Sequence, residues 1–174
     1  MTELKRLDRI KELGIRIHAT TVLAGWRGIG HLPRLLVAEE VRAWAQEALE
    51  NASEESLKLL ADIAFYSAHD EEALSQGLEK LAEMEQGSME REARKWQLVL
   101  LKEILDELPH DPLYGLLELT DFWSQFDFPS DSPHEVQGRG NHMQPQEYYT
   151  RKNFERLVKK HKDWLNTEVV RLRD

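Results

Sequence analysis

The 174-residue chain contains no cysteine. That absence removes disulfides, thiol nucleophiles and thiolate metal sites at once, and it fits a reducing compartment. No stretch approaches the run of about 18 apolar residues that a membrane-spanning helix needs. The opening residues, MTELKRLDRIKELGIRIH, mix charged and apolar side chains and lack an apolar run followed by a small-residue cleavage site, so no signal peptide is read there. A soluble, cytoplasmic protein without a membrane partner is the expectation. Cations are scarce as well: 23 Lys and Arg stand against 32 Asp and Glu, a net charge of -9, which argues against a nucleic-acid binder because phosphate contacts require clustered positive charge.

Catalytic motifs are equally thin. GWRGIG at Gly25 to Gly30 has neither a preceding apolar strand nor the Lys-Ser/Thr that completes a phosphate-binding loop, and it reads as a turn with Trp26 against the core. No HExxH or i, i+4 histidine pair is present, and no GxSxG elbow. Glu39-Glu40, Glu54-Glu55 and Glu71-Glu72 are sequence neighbours, which on a helix point about 100° apart and suit solvation better than shared acid-base work. His134, Glu135, His142 and Glu147 lie on or beside one polar loop, with Asp127 and Asp131 nearby, but without a ligand spacing. No catalytic residue, no metal and no cofactor is assigned.

What the chain has is apolar periodicity. With 41% hydrophobic residues, five Trp and five Phe, it can bury enough surface to offset its ordering entropy despite 32% charged residues. A single all-α domain over residues 1–174 is expected, a helical bundle or stack of helical hairpins of about six to seven helices. The first helix spans Glu3 to Leu13 with Leu4, Leu7 and Ile10 on one stripe, ending at Gly14. Residues 15–34 alternate only briefly at Ile15 and Ile17 before three glycines and a proline, and their structure stays open. A helix from about Leu35 to Glu50 carries Val37, Val41, Trp44, Ala45 and Ala48. The next, capped by Ser53, carries Leu57, Leu60, Ala61, Ala64, Phe65 and Ala68. Asp70, Ser88, Asp111 and Thr150 mark further helix starts, Asp111 followed by Pro112 at the first helical position. The last helix bears a long stripe from Phe154 to Leu172 and a basic face of Arg151, Lys152, Arg156, Lys159, Lys160 and Lys162. Between the last two helices lies FDFPSDSPHEVQGRGNHMQP, a long ordered loop near residues 127–147, pinned by aromatic residues at both ends with Ser130 to Asn141 as its exposed tip.

Charge is unevenly spread. From Ala38 to Glu90 fourteen acidic residues face three basic ones, a local balance of -11, whereas Arg151 to Asp174 has eight basic and four acidic residues. A field of one sign accelerates association with an oppositely charged partner. The expected partner is therefore a basic protein, bound through Glu39, Glu40, Glu47, Glu54, Asp62 and Glu72, with His134 and Arg139 of the loop as secondary contacts.

The segment ELTDFWSQFDFPSDSPHEVQGRGN, followed by Gln146 to Thr150 and a helix with HKDWL, resembles a family of small bacterial proteins of unknown function, typified by neisserial members. The similarity is clearest from Leu113 to Leu165. This resemblance implies a helical cytosolic protein counted among candidate immunity proteins of polymorphic toxin systems, which bind and silence a cognate toxin; no catalytic residues come with it. Two other roles stay open. One is a ligand-binding protein or metal-dependent enzyme with a pocket built from the 127–147 loop. The other is a structural helical adaptor or homo-oligomer.

Overall fold

The computed structural model describes residues 6–66 and 70–173. Leu4 and Ala68, expected on apolar stripes, lie outside the described residues, as does the start of the first helix. Among the described residues there is no strand. The elements are α1 (Arg6–Glu12), α2 (Ala19–Arg27), α3 (Ala38–Ala48), a 3-10 turn (Leu49–Asn51), α4 (Glu54–Ala61), a π-helical segment (Asp62–Tyr66), α5 (Glu71–Glu85), α6 (Met89–Glu107), α7 (Pro112–Ser124), α8 (Pro145–Tyr148) and α9 (Arg151–Leu172). The all-α class holds. The helix count exceeds the expected six to seven because α2 forms in the segment left open and α8 forms inside the long loop. The chain divides into two compact units, residues 1–97 and 98–173, so α6 contributes residues to each.

In the first unit α2 packs along α5, and α3 packs against α4 and the π-helical segment. Threonines and a glycine make Ala19–Arg27 a poor helix by propensity. Burial overrides this: every residue from Ala19 to Trp26 is buried. Its free N-terminal amides are satisfied from a distance, since the Glu85 carboxylate accepts from the backbone N–H of Ala19 at 3.0 Å and of Thr20 at 3.2 Å. A carboxylate there also meets the positive end of the helix dipole. Gly25 is required because a β-carbon at that position would overlap the Trp96 indole and approach Leu36 Cδ1 to 3.0 Å. The Trp96 indole N–H donates to the Thr21 carbonyl at 2.7 Å, fixing the two helices at this crossing. Trp26 is buried as expected, its N–H donating to Ser75 Oγ at 2.7 Å.

The α4 stripe requires a correction. Leu60, Ile63 and Ala64 are buried, but Leu57 is 49% and Phe65 60% exposed. The switch to π-helical geometry at Asp62 adds a residue per turn and rotates Phe65 off the inward line.

In the second unit α7 and α8 pack on α9. The Asp111 carboxylate accepts from the amides of Leu113 and Tyr114, and Thr150 Oγ1 accepts from Asn153, so both helices start where their capping residues predict. The α9 stripe buries Phe154, Leu157, His161, Leu165, Val169 and Leu172, leaving its basic residues exposed. Leu116, Tyr148, Phe154 and Leu157 form a core cluster beneath the long loop.

Candidate functional site

Six of the expected partner-binding residues lie in the first unit. Glu39 and Glu40 occupy the first turn of α3, Glu54 that of α4 and Glu72 that of α5, where carboxylates favour the helix dipole. Some acids are committed locally. Glu40 accepts from the Val37 amide at 2.9 Å, Glu39 pairs with Arg42 at 3.2 Å, and Glu47 pairs with Lys11 at 2.5 Å. Asp62, half-buried, begins the π-helical segment. Among the described residues no cation pairs with Glu50, Glu54, Glu55, Asp62 or Glu72, so folding leaves much of the acidic excess uncompensated.

The same unit contains an open cleft of about 710 Å³. It is lined by Lys11, the non-helical segment Gly14 to His18, Trp44 and Glu47 of α3, residues 51–53, Glu55 and Ser56 at the start of α4, and Leu81, Met84 and Glu85 of α5. Its segment from Gly14 to His18 is tied to α6 by a buried ion pair. Lys95 Nζ lies 2.7 Å from Glu92 Oε2 and donates to the Arg16 carbonyl at 2.8 Å. Thr21 Oγ1 donates a very short hydrogen bond to the same carboxylate. Both charged side chains are buried, which is tolerable only because each has an opposite charge and a further hydrogen bond. Neither residue was anticipated from the sequence. The i, i+3 spacing of Glu92 and Lys95 does not single them out, because α6 carries other charged residues around them, including Glu90, Arg91 and Arg94.

His134 and Arg139 belong to the second unit. After α7, Asp127 and Phe128 take left-handed φ values of 55° and 50°, and the Phe128 amide reaches back to the Trp123 carbonyl at 3.1 Å. The loop is then held by polar pins. The Glu135 carboxylate accepts from both Arg156 terminal nitrogens at 3.0 and 2.7 Å and from Lys160 at 2.9 Å, which lowers its pKa to about 2. The Tyr148 hydroxyl donates to the Glu135 carbonyl at 2.6 Å, and the Trp164 indole donates to the Asp131 carbonyl at 2.9 Å. Asn141 organises the tip, accepting from Gly138 and Met143 and donating to the Val136 carbonyl.

His134 is not part of an exposed tip but turns inward and is half-buried. Thr120 Oγ1 gives its proton to the Leu116 carbonyl, so the contact at 2.8 Å is His134 Nε2–H donating to Thr120; His134 Nδ1 is then a buried acceptor without a partner among the described residues. His161, 5.4 Å away ring to ring, accepts from Trp123 Nε1 at 2.9 Å and donates from Nδ1 to the Leu157 carbonyl at 2.7 Å. Burial disfavours charge on both rings, holding the His134 pKa near 3 and that of His161 near 4. Arg139 remains exposed, its guanidinium 4.8 Å from the Phe128 ring centre. A cavity of about 340 Å³ lies along Phe128, Ser132, His134, Arg139 and Asn141. Among the described residues no group of three or more His, Asp or Glu is placed to hold a metal ion, and no helix is long and apolar enough to cross a membrane.

Comparison with known proteins identifies a family. Residues 7–169 match a family described as uncharacterized protein conserved in bacteria (DUF2247), and the chain belongs to that family. No curated protein and no solved structure matches it.

Proposed function

For this member of an uncharacterised bacterial family, we propose a partner-binding role as a cytoplasmic immunity-type inhibitor. It binds and neutralises a basic toxin domain by covering that domain's active or substrate-binding surface, and it performs no reaction itself. The observation that carries this reading is the uncompensated acidity of the α3–α5 region, where Glu50, Glu54, Glu55, Asp62 and Glu72 have no described counter-ion. Exposed like charges cost folding stability through self-repulsion, so retaining them is intelligible when an oppositely charged surface is to be met. Such a surface acts first on encounter, raising the association rate, and then on register.

The test begins with the neighbouring reading frames, one of which is expected to encode a basic toxin domain as the partner. Its expression is expected to arrest growth alone and to be tolerated when this chain is co-expressed. The combined substitution Glu54→Lys, Asp62→Lys and Glu72→Lys should slow association about tenfold or more at low salt and flatten its salt dependence. Absence of protection, or association that stays equally fast and salt-dependent after the reversal, would refute the reading.

A further inference from the structure

Helix α7 carries apolar side chains on two faces, the pattern of a helix that is covered on both sides. The second unit covers one of them, where Gly115, Leu116, Leu119, Phe122 and Trp123 are buried. On the other, Leu113, Tyr114 and Leu117 stand 42%, 64% and 45% exposed. Leu113, Leu117 and the exposed Asp121 recur at four-residue spacing and form one ridge, with Tyr114 and Glu118 as a parallel ridge beside it. The charge on this face has one sign. From Glu103 to Gln125 the chain has six acidic residues and neither lysine nor arginine. Glu118 and Asp121 pair with no cation among the described residues. Arg151 lies at the opposite end of the helix, where it donates to the His110 carbonyl at 2.6 Å and the Asp111 carboxylate caps the first turn. Asp121 stands in the last turn of α7, where its charge meets the negative end of the helix dipole. That placement opposes helix stability, and a cation brought from outside would relieve it.

We infer that this bare face of α7 is a docking surface for a basic amphipathic helix of a partner protein, whose apolar stripe covers Leu113, Tyr114 and Leu117 and whose lysines or arginines meet Glu118 and Asp121. The surface belongs to the second unit and does not depend on the acidic surface of the first. A helix is favoured over a strand by the backbone of α7: its amides and carbonyls are used within the helix, so no edge is offered for strand addition and a ligand gains only through side chains. Ridges at four-residue spacing fit the grooves of a second helix. Pro112–Ser124 is about 20 Å long, which matches a partner helix of about three to four turns. Charge selects the partner. A second copy of α7 brings the same acids and no lysine or arginine of its own, so it leaves Glu118 and Asp121 uncompensated, whereas a basic helix supplies the opposite sign.

The probe is an acetylated and amidated peptide made of two repeats of Leu-Lys-Lys-Leu-Leu-Lys-Leu, titrated into the full-length protein and followed by methyl and aromatic NMR. Shifts at the Leu113 and Leu117 methyls and at the Tyr114 ring are expected. Tyr114→Gln combined with Leu117→Gln should weaken binding about tenfold or more, the scale of a lost apolar anchor. Asp121→Asn should weaken it several-fold at low salt and flatten its salt dependence. Two peptide changes test the same contacts with the protein unaltered: glutamate in place of lysine should abolish binding, and proline at the centre, which breaks the helix, should weaken it about tenfold or more. No shift on α7 at millimolar peptide overturns the assignment. Shifts confined to α3–α5 overturn it too while leaving the acidic-surface proposal standing. Equal binding of the glutamate peptide overturns the basic character of the partner, and equal binding of the proline peptide overturns its helical form. Concentration-dependent shifts of Leu113, Tyr114 and Leu117 without peptide would make a second copy the occupant and overturn the proposal.

Discussion

Acidification should destabilise the second unit through two histidines that the fold keeps neutral. His134 and His161 titrate near 3 and 4 when folded against 6.5 in an unfolded chain, because burial penalises the imidazolium; neighbouring Lys160 adds to this and Glu135 only partly opposes it. The folded state thus binds fewer protons, and stability falls as pH drops below 6.5 and continues to fall toward the folded values. Near pH 5 each unfolded histidine carries almost a full proton and each folded one almost none, a slope of ~1.4 kcal/mol per pH unit per group. Integrated from about pH 7 to about pH 5, the pair costs ~3 to 4 kcal/mol, a large share of a domain's typical total of about 5 to 15. Urea unfolding read from fluorotryptophan resonances of Trp123 and Trp164 should show the midpoint falling by roughly 1 to 3 M over that range. His134→Gln, which keeps a donor for Thr120, should remove about half of the pH dependence. The reasoning fails if imidazole NMR titrations place both histidines near 6.5, or if the variant keeps the full slope.

Other outcomes follow from the same geometry. Lys95→Met strands a buried Glu92 carboxylate and should cost ~3 to 5 kcal/mol in thermal unfolding, whereas Lys95→Met with Glu92→Gln should recover much of it. Glu135→Gln removes the partner of Arg156 and Lys160; residues 130–144 should exchange amide hydrogen faster and be cut sooner by protease, with the stability loss that wild type shows between pH 4.5 and 2 reduced in the variant. Gly25→Ala forces a methyl into the Trp96 indole and should destabilise by ~1 to 3 kcal/mol, seen as a lowered melting temperature.

Local chemistry was legible in the chain where its cause is local. Ser53, Asp70, Asp111 and Thr150 cap α4, α5, α7 and α9 through their own side chains, and a capping residue sits within three positions of the amides it serves. The α9 stripe likewise needs only the 3.6-residue period. The acidic candidates were legible as charges, since a charge survives folding unless a cation reaches it.

What the sequence determined by itself was therefore the all-α class, the helix starts, the inward face of α9 and the acidic balance of residues 38–90. Only the tertiary structure decided the rest, because the partners are remote in the chain. Glu85 caps α2 from 65 and 66 positions away, Lys95 reaches Arg16 across 79, and Trp123 meets His161 across 38. The same holds for His134, whose burial depends on Thr120 and His161, and for the cleft, whose walls come from α3, α4, α5 and a segment that no periodicity describes. A residue's spacing fixes the face it occupies on its own helix; what that face meets is set by packing.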